Sequence, residues 1–382
     1  MEALRILQLA DHSEIISGGA MQMLLLAQGL RQRGHDVTCV FDDTPSSLEH
    51  TLERVTQVGA RLIRLPMGKK EMSEPLRTLL ASERFDVVHT HRATYKTLLR
   101  SCRELALPPV VVNRGQSRPV RERELEKLRH PAVRAVVVVA AHIRDVLVRD
   151  GVDAERVEVV YGSYDPARFH PGVDGAAVRT ALTRGDTTAP LVGVVAKLSH
   201  YKSHDVFLEA AACVLVQVPN AVFAVVGPDP DGVRPQLEAL TVALGRTYGV
   251  ALAAALRFTG PREDVPELLA AFDVSVSASA SAWEGLSGVM RESLALGRPV
   301  VCTDVGGNRE LVRHRDTGLL VEPGNAAELA GAILELLGDP AAARRYGANG
   351  RRLALETFSN AARARTMEAL YRRLQAEAHA AP

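Results

Sequence analysis

The sequence has little of what marks several protein classes. Aromatic residues make up 4% of its 382 residues, too few for the interleaved aromatic and basic residues of a single-stranded nucleic-acid platform. Lys and Arg number 46 against 45 Asp and Glu, so no overall basic excess points to nucleic acid. No stretch approaches the roughly 18 apolar residues of a membrane span, and the N-terminus lacks a secretory signal pattern. We therefore expect no nucleic-acid partner, no membrane span and no secretion by this route.

Cysteine is also scarce. The four cysteines lie far apart, with no C-x-x-C pair and no His at metal-ligand spacing, which favours reduced thiols and a cytoplasmic location. They are Cys39, Cys102, Cys213 and Cys302. A D-x-D sequence at Asp229 and Asp231 is typical of metal sites, but it lies in a Pro-containing turn, DPDG, where Asp is favoured for backbone reasons. We predict no metal and no cofactor.

The chain does contain a repeated alternation of short β-branched runs with longer stretches of helical period. This alternation predicts two parallel sheets covered by helices, an α/β class with two Rossmann-like domains. The predicted strands are 5–9, 37–41, 61–65, 86–89, 110–113, 135–139, 157–160, 191–195, 222–226, 255–259, 274–277, 300–303 and 318–321. An aperiodic segment rich in Pro and Gly predicts a boundary near Pro171, hence domains at 1–171 and 172–359. A last helix at 360–380 caps either domain, and we assign it to the first.

Two features of the first half follow strands. Gly18 and Gly19 precede an amphipathic helix and allow backbone N–H groups to approach an anion, although a plain tight turn explains them equally well. Neither G-x-G-x-x-G nor a P-loop is present, which argues against nicotinamide and P-loop nucleotides. His89 and His91 lie on one strand face or just beyond its carboxyl end, where open α/β sheets bind ligands. A lone histidine is usually a packing residue, but two at this edge favour a site.

The second half has two further groups of polar residues. Lys197 and Lys202 flank a short loop that opens a helix, an arrangement that matches a diphosphate, although two solvated lysines are the simpler interpretation. Glu284 and Glu292 are separated by seven residues, the first in a loop and the second one or two turns into a helix. Carboxylates there accept hydrogen bonds from sugar hydroxyls, and the helix N-terminus faces phosphate.

Taken together these motifs resemble the family-4 retaining glycosyltransferases of the GT-B fold. The resemblance runs from about Ile6 to Thr357 and combines the Gly-Gly loop, H-x-H, [RK]-L-x-x-x-K, E-G-[FL]-x5-E and G-[RK]-P-V-V-x-T-D-x-G-G in that order. It implies two Rossmann-like domains facing across a cleft. The donor, a UDP- or GDP-linked sugar, would bind mainly to the C-terminal domain, and a glycan or lipid-linked acceptor to the N-terminal domain.

The resemblance also implies roles for single residues. The catalytic set would be Glu284, His91, Lys197 and Lys202. The donor would contact Gly18, Gly19, Lys197, Lys202, Arg262, Glu284, Gly285, Leu286, Ser287 and Glu292. Two departures from the family pattern are Lys197 in place of the usual Arg, which loses the bidentate fork, and Ser287 in place of a common Gly. Retention of the anomeric configuration, without a metal ion, is implied by the same likeness.

The acceptor is the least defined part of this prediction. Eleven Lys or Arg against four Glu between Arg92 and Arg134 give a local net charge of +7. This segment contacts an anionic membrane surface or a phosphorylated, lipid-linked acceptor, or else forms a solvated helix. Arg114 and Arg118 are our hypothetical contacts to acceptor phosphate. The predicted function is sugar transfer in envelope polysaccharide or glycolipid assembly; the alternatives are a nucleotide-sugar 2-epimerase and a non-catalytic nucleotide-sugar-binding partner.

Overall fold

The computed structural model of the chain describes residues 2–10, 18–43, 48–66, 72–280 and 285–380. The chain divides into two compact units, Met1–Ser163 with Ser359–Pro382, and Tyr164–Phe358. The change from one unit to the other thus falls between Ser163 and Tyr164, ahead of the boundary near Pro171 that the sequence composition indicates. Each unit is an α/β unit built on one parallel sheet.

The strands correspond closely to the predicted β-branched runs. Four of them are buried along their whole length, because helices cover both sheet faces there: Val87–His91, Val222–Val226, Val274–Ser277 and Val300–Thr303. In chain order they are β1 Arg5–Leu9, β2 Asp36–Asp42, β3 Arg61–Leu65, β4 Val87–His91, β5 Val110–Arg114, β6 Val133–Val138, β7 Val157–Val159, β8 Leu191–Val195, β9 Val222–Val226, β10 Leu256–Gly260, β11 Val274–Ser277, β12 Val300–Thr303 and β13 Leu319–Val321.

The helices alternate with the strands, and some of them begin at a residue whose side chain caps the helix. Ser287 accepts the backbone N–H of Met290, and Asp339 accepts two N–H groups ahead of the helix that opens with Pro340. In chain order they are α1 Gly18–Gln32, α2 Leu48–Gln57, α3 Ser73–Ser82, α4 Thr94–Ser101, α5 Glu122–Leu128, α6 Ala141–Arg149, α7 Ala176–Leu182, α8 His204–Gln217, α9 Arg234–Tyr248, α10 Leu252–Ala255, α11 Val265–Ala271, α12 Gly288–Ala295, α13 Asn308–Leu311, α14 Ala326–Gly338, α15 Pro340–Thr357 and α16 Asn360–Ala380.

The first unit has a sheet of order β3-β2-β1-β4-β5-β6-β7. Its core includes side chains from the last helix, α16, which packs against α1. At their crossing a Cβ on Gly29 would come within 2.7 Å of the Cβ of Ala364, so only glycine allows the two helices to approach this closely. The final helix is therefore an integral part of the first unit.

The second unit has a sheet of order β10-β9-β8-β11-β12-β13. In both units the strand order reverses beside the first strand, between β1 and β4 in one sheet and between β8 and β11 in the other. Open α/β sheets bind ligands outside the carboxyl ends of the strands at this reversal. The topology thus defines one candidate binding position in each unit.

Candidate functional site

In the second unit, Lys197 and Lys202 follow β8, the first of the two strands at the order reversal. The chain leaves the strand with hydrogen bonds from the N–H of Ala196 to Val226 and from the N–H of Leu198 to Pro228. Gly227 makes this course possible, because its φ is +148° and a Cβ would lie 2.0 Å from the carbonyl oxygen of Ala196. A short 3₁₀ turn at His200–Lys202 then leads into α8.

The two lysines share one aromatic neighbour. Lys197 Nζ lies 5.0 Å and Lys202 Nζ 5.4 Å from the centroid of the Tyr201 ring. The Lys197 ammonium donates a hydrogen bond to the Tyr201 hydroxyl, and this bond is the main cause of a raised pKa, to which the charge of Asp231 also contributes. Lys197 is therefore held in its charged form.

A buried histidine, His204, forms a hydrogen bond with the backbone of Lys197. His204 Nε2 lies 3.1 Å from the Lys197 carbonyl oxygen and donates to it, since a carbonyl can only accept. Burial is the main cause that lowers the pKa of His204, so the ring is neutral at pH 7. His204 begins α8 directly after Ser203, whose φ of 49° completes the turn.

The other strand at the reversal, β11, leads into the segment with the two glutamates. Glu284 lies outside the described residues. Gly285, Leu286 and Ser287 are buried, and the Gly285 carbonyl accepts the N–H of Gly307 at 2.9 Å. Ser287 caps α12, so the predicted helix N-terminus is present where the motif places it.

Glu292 lies on α12, as the sequence predicts. Desolvation raises the pKa of its carboxyl to about 7, although the positive charges of Arg291 and Arg168 act in the opposite direction. The Arg291 guanidinium is itself buried, with one N–H group 3.3 Å from the Leu286 carbonyl and Nε without a partner in the structure. Its burial lowers the pKa of Arg291 to about 10. The N-terminus of α12 therefore combines a helix dipole with a buried cation.

Arg262, one of the predicted donor contacts, is held by an acidic neighbour. Its Nε donates to Asp264 at 2.7 Å, and a second N–H group donates to the other carboxylate oxygen. This pair lowers the pKa of Asp264 and raises that of Arg262. The side chain is thus oriented by the loop that follows β10.

The structure also supports the turn at Asp229, whose carboxylate accepts the N–H groups of Val233 and Arg234.

In the first unit the H-x-H histidines both lie within β4 on one face. Their rings stack with centroids 4.5 Å apart, and both are buried. His91 Nε2 is 3.1 Å from the side-chain oxygen of Gln8, which comes from the neighbouring strand β1. His89 Nδ1 is 2.6 Å from the hydroxyl of Tyr371, and burial lowers the pKa of His89 to about 3. Of the two, His91 lies at the carboxyl end of the strand.

The paired glycines belong to a helix rather than to a turn before it. The prediction that Gly18 and Gly19 precede the helix is wrong, because α1 already begins at Gly18. Both glycines are exposed, and a Cβ on Gly18 would meet no atom within 4 Å. Among the described residues, none therefore crowds the first turn of α1 at Gly18.

Arg114 and Arg118 have different surroundings. Arg114 is buried, donates to Glu124 at 2.9 Å and bonds the carbonyl oxygens of Gln116 and Arg118. Tyr95 also donates to Glu124, at 3.2 Å. The guanidinium of Arg114 is thus engaged in an internal network, whereas the side chain of Arg118 is exposed.

Sequence reasoning missed three residues near these positions. Tyr201, Arg291 and Gln8 each contact a predicted site residue or lie beside one. For Tyr201 the detectable signal is an aromatic residue directly before a lysine that the sequence predicts to bind phosphate. The other two give no local signal, since a buried Arg and a buried Gln are recognisable only once their neighbours are known.

Two kinds of feature are absent from the described parts of the chain. None of the helices described is long and apolar enough to cross a membrane. Among the same residues, no three His, Cys, Asp or Glu side chains are grouped as a metal site would require.

Two family models match the chain, one in each half. Residues 16–168 match the model described as Glycosyltransferase Family 4, and residues 189–339 match the model described as Glycosyl transferases group 1. Together they cover most of both compact units, but not the last helix, α16.

Similar proteins are known from sequence and from structure. A D-inositol 3-phosphate glycosyltransferase of Nocardia farcinica is 34% identical over 220 residues, 56% of this chain and 47% of that protein. The UDP-Gal:alpha-D-GlcNAc-diphosphoundecaprenol alpha-1,3-galactosyltransferase of Escherichia coli is 25% identical over 276 residues, 68% of each. The crystal structure of Anabaena Alr3699/HepE in complex with UDP superposes with a TM-score of 0.80 at 21% identity, covering 97% of this chain and 100% of that one. The match to the inositol-phosphate enzyme spans about half of its length.

Proposed function

The chain belongs to the family-4 glycosyltransferases of the GT-B fold, and from this premise we propose that it transfers a sugar from a nucleotide-diphosphate donor. The donor is UDP- or GDP-linked, the acceptor is a glycan or a lipid-linked molecule, and the product enters cell-envelope polysaccharide or glycolipid. In this proposal the second unit binds the donor and the first unit binds the acceptor. The reaction takes place in the cytoplasm.

One observation carries the proposal: the lysine loop and the Glu292 helix follow the two neighbouring strands at which the strand order reverses. The loop after β8 carries Lys197 and Lys202, and α12 follows β11. The two loops touch, since the N–H of Ala280 donates to the Tyr201 carbonyl at 3.2 Å. Two ammonium groups and a helix N-terminus therefore meet at one sheet edge, which suits a diphosphate with an attached sugar.

The chemistry follows from the charge that develops on the leaving group. As the bond from the anomeric carbon to the diphosphate breaks, negative charge grows on phosphate oxygens, and fixed ammonium groups at Lys197 and Lys202 stabilise it. The acceptor hydroxyl attacks the anomeric carbon from the face that the diphosphate leaves and gives its proton to the departing phosphate. Because attack and departure take place on one face, the anomeric configuration is retained. No metal ion or other cofactor takes part in this proposal. Glu292 accepts the ribose hydroxyls, and Glu284 and the amides of Gly285, Leu286 and Ser287 hold the sugar.

A phosphate-bearing acceptor is supported by two relatives whose names contain one. One is named for D-inositol 3-phosphate and the other for a diphosphoundecaprenol-linked sugar. On this chain, the exposed Arg118 is our proposed contact for such a group. Arg114 supports it from the interior, through hydrogen bonds to Glu124 and to the Arg118 carbonyl oxygen.

The test is a panel of UDP- and GDP-sugars offered with EDTA to the wild type, Glu292→Ala and Glu356→Ala. Glu356 is an exposed residue of α15 and serves as a control for the charge change. Melting temperature reports binding, because about 100 times Kd of ligand adds roughly 2.7 kcal/mol of stability. Slow donor hydrolysis reports turnover.

One donor should stabilise the wild type and the control but not Glu292→Ala, and it should be hydrolysed slowly in EDTA. Conversion of the donor to its 2-epimer would show that the protein is an epimerase and not a transferase. Donor binding without any turnover, even when acceptor extracts are added, would indicate a non-catalytic partner protein. Absence of binding by the wild type would remove the donor site altogether.

A further inference from the structure

Tyr201 is an aromatic side chain that the core does not use. Its side chain is 41% exposed, one of four large hydrophobic side chains left exposed among the residues that the structure describes, and the other three are aliphatic. Burial therefore does not explain its place in the loop. Its neighbours do, because both candidate phosphate-binding lysines place their ammonium groups near its ring.

The ring contacts both cations. Its centroid is 5.0 Å from Lys197 Nζ and 5.4 Å from Lys202 Nζ, within the roughly 6 Å at which an ammonium is attracted to an aromatic ring. Its hydroxyl accepts a hydrogen bond from Lys197. Two like charges are thus drawn to one neutral group, which opposes their mutual repulsion without neutralising either of them.

The ring is itself held by its backbone. The Tyr201 carbonyl accepts the N–H of Ala280, and the 3₁₀ turn is closed by the N–H of Lys202 on the carbonyl of Ser199 at 3.0 Å. Ala280 lies in the stretch between β11 and α12, so the position of the ring is tied to both loops at the strand-order reversal. A lysine side chain free in solvent would lose considerable rotamer entropy on binding phosphate, and a fixed ring reduces that loss.

We propose that Tyr201 is a positioning residue that holds Lys197 and Lys202 ready for the two phosphates of a nucleoside diphosphate. This inference rests on the proposed donor site and adds a residue to it. The ring acts through the lysines, so its effect should fall on the diphosphate and not on the nucleoside. Affinity for a diphosphate should therefore depend on Tyr201, whereas affinity for a monophosphate should depend on it much less.

The experiment compares UDP with UMP and GDP with GMP by calorimetry on four proteins: wild type, Tyr201→Phe, Tyr201→Leu and Val242→Ser. Val242 on α9 is 46% exposed and controls for the loss of an exposed apolar side chain. Tyr201→Leu should weaken diphosphate binding roughly fivefold to tenfold, from two exposed cation–π contacts. Tyr201→Phe, which keeps the ring but loses the hydroxyl, should fall between the wild type and Tyr201→Leu.

Monophosphate affinity and melting temperature separate positioning from folding. Both should stay close to wild type in Tyr201→Phe, and the control should bind both ligands as the wild type does. Equal diphosphate affinity in the wild type and in both Tyr201 variants would overturn the inference and leave the donor site intact. An equal loss of monophosphate and diphosphate affinity would also overturn it. A wild type that binds no nucleoside diphosphate would remove the donor site and this inference together.

Discussion

The imidazole of His89 and the hydroxyl of Tyr371 are 2.6 Å apart and buried, although 282 residues separate them in the chain. This hydrogen bond connects the centre of the first sheet to the last helix. His89 is therefore part of the architecture of the first unit, and His91, two residues later, is the histidine at the strand end. The two members of the H-x-H pair thus differ in position along the strand and in hydrogen-bond partner.

Removing the Tyr371 hydroxyl should destabilise the first unit. Tyr371→Phe leaves His89 Nδ1 buried without a partner, at an expected cost of about 1–3 kcal/mol in the free energy of unfolding. Urea titration measures this loss. Tyr248→Phe is the control, since its hydroxyl bonds Glu209 at 3.1 Å in a partly exposed position and should cost less than about 1 kcal/mol. Equal losses in the two variants would contradict the prediction.

The neutral state of His89 should make stability depend on pH in a particular direction. Burial lowers its pKa from 6.5 to about 3, so below 6.5 the unfolded chain binds a proton that the folded chain does not. The contribution of His89 to the free energy of unfolding is therefore complete above about pH 6.5. It is lost as the pH falls, by up to roughly 1.4 kcal/mol per pH unit. His35 and His204, whose pKa values burial also lowers, act in the same direction. His89→Gln should show a shallower decline between pH 6.5 and 5, measured by urea titration at each pH. A slope equal to that of the wild type would assign the dependence to other groups.

Ionisation of Glu292 should change the stability of the folded chain with pH in the opposite direction. Its pKa is raised from 4.5 to about 7, so the folded chain binds more protons between these values and stability falls as the pH rises. Glu292→Gln should therefore be more stable than the wild type at pH 8, by roughly 1–2 kcal/mol because the side chain is only partly buried, and equal to it near pH 4.5.

The same substitution should weaken nucleotide-sugar binding, because an amide accepts hydroxyl hydrogen bonds less strongly than a carboxylate. Donor affinity should thus rise between pH 6 and pH 8 in the wild type relative to Glu292→Gln. Melting curves with and without donor at each pH measure both effects. A Gln variant that is less stable at pH 8 would show that the carboxylate is needed for folding.

The crossing of α1 and α16 should depend on Gly29. Gly29→Ala would place a Cβ 2.7 Å from that of Ala364, so the helices must separate, at an expected cost of about 1–3 kcal/mol. Gly331→Ala is the matched control, because Gly331 lies in the interior of α14 with no atom within 4 Å of an added Cβ. Better helix propensity should stabilise that variant by about 0.5–1 kcal/mol. Two shifts of the same sign in melting temperature would refute this account of the crossing.

The basic segment between Arg92 and Arg134 should bind anionic membranes if its charge has a functional role. Arg118, Arg121 and Arg123 are exposed, and changing all three to Glu should abolish sedimentation with phosphatidylglycerol vesicles at low salt. The control carries the same charge change on α15, at Arg344, Arg345 and Arg352, which are also exposed. Equal behaviour of the two triple variants would leave the segment as a solvated surface.

The fold could be predicted from the sequence because its strands are buried on both faces. Continuous β-branched runs bounded by Gly, Pro and Asp fixed the strands to within a few residues, including β8, β11 and β12 at their observed bounds. Glycine, a poor helix former, obscured the start of α1. The pairing of Arg114 with Glu124 was also not predictable, since it depends on how a loop folds back on the following helix.

The site was predictable only in part for a related reason. Lys197, Lys202 and Glu292 carry a local signal in their spacing, and Ser287 is recognisable as a helix cap. Contacts such as Gln8 with His91 or His89 with Tyr371 join residues far apart in the chain, so they follow from topology alone. The pKa shifts of Glu292 and Arg291 likewise arise from burial that no local pattern reports.

The return of α16 to the first unit has a consequence for synthesis on the ribosome. The N-terminal sheet is translated first, yet the helix that supplies Met367, Leu370 and Tyr371 to its core is translated last. Until then an apolar face of the emerging sheet and the ring of His89 stay uncovered. The second unit, contiguous in sequence, can complete its own core earlier, so the part of the chain that emerges first is the part that finishes folding last.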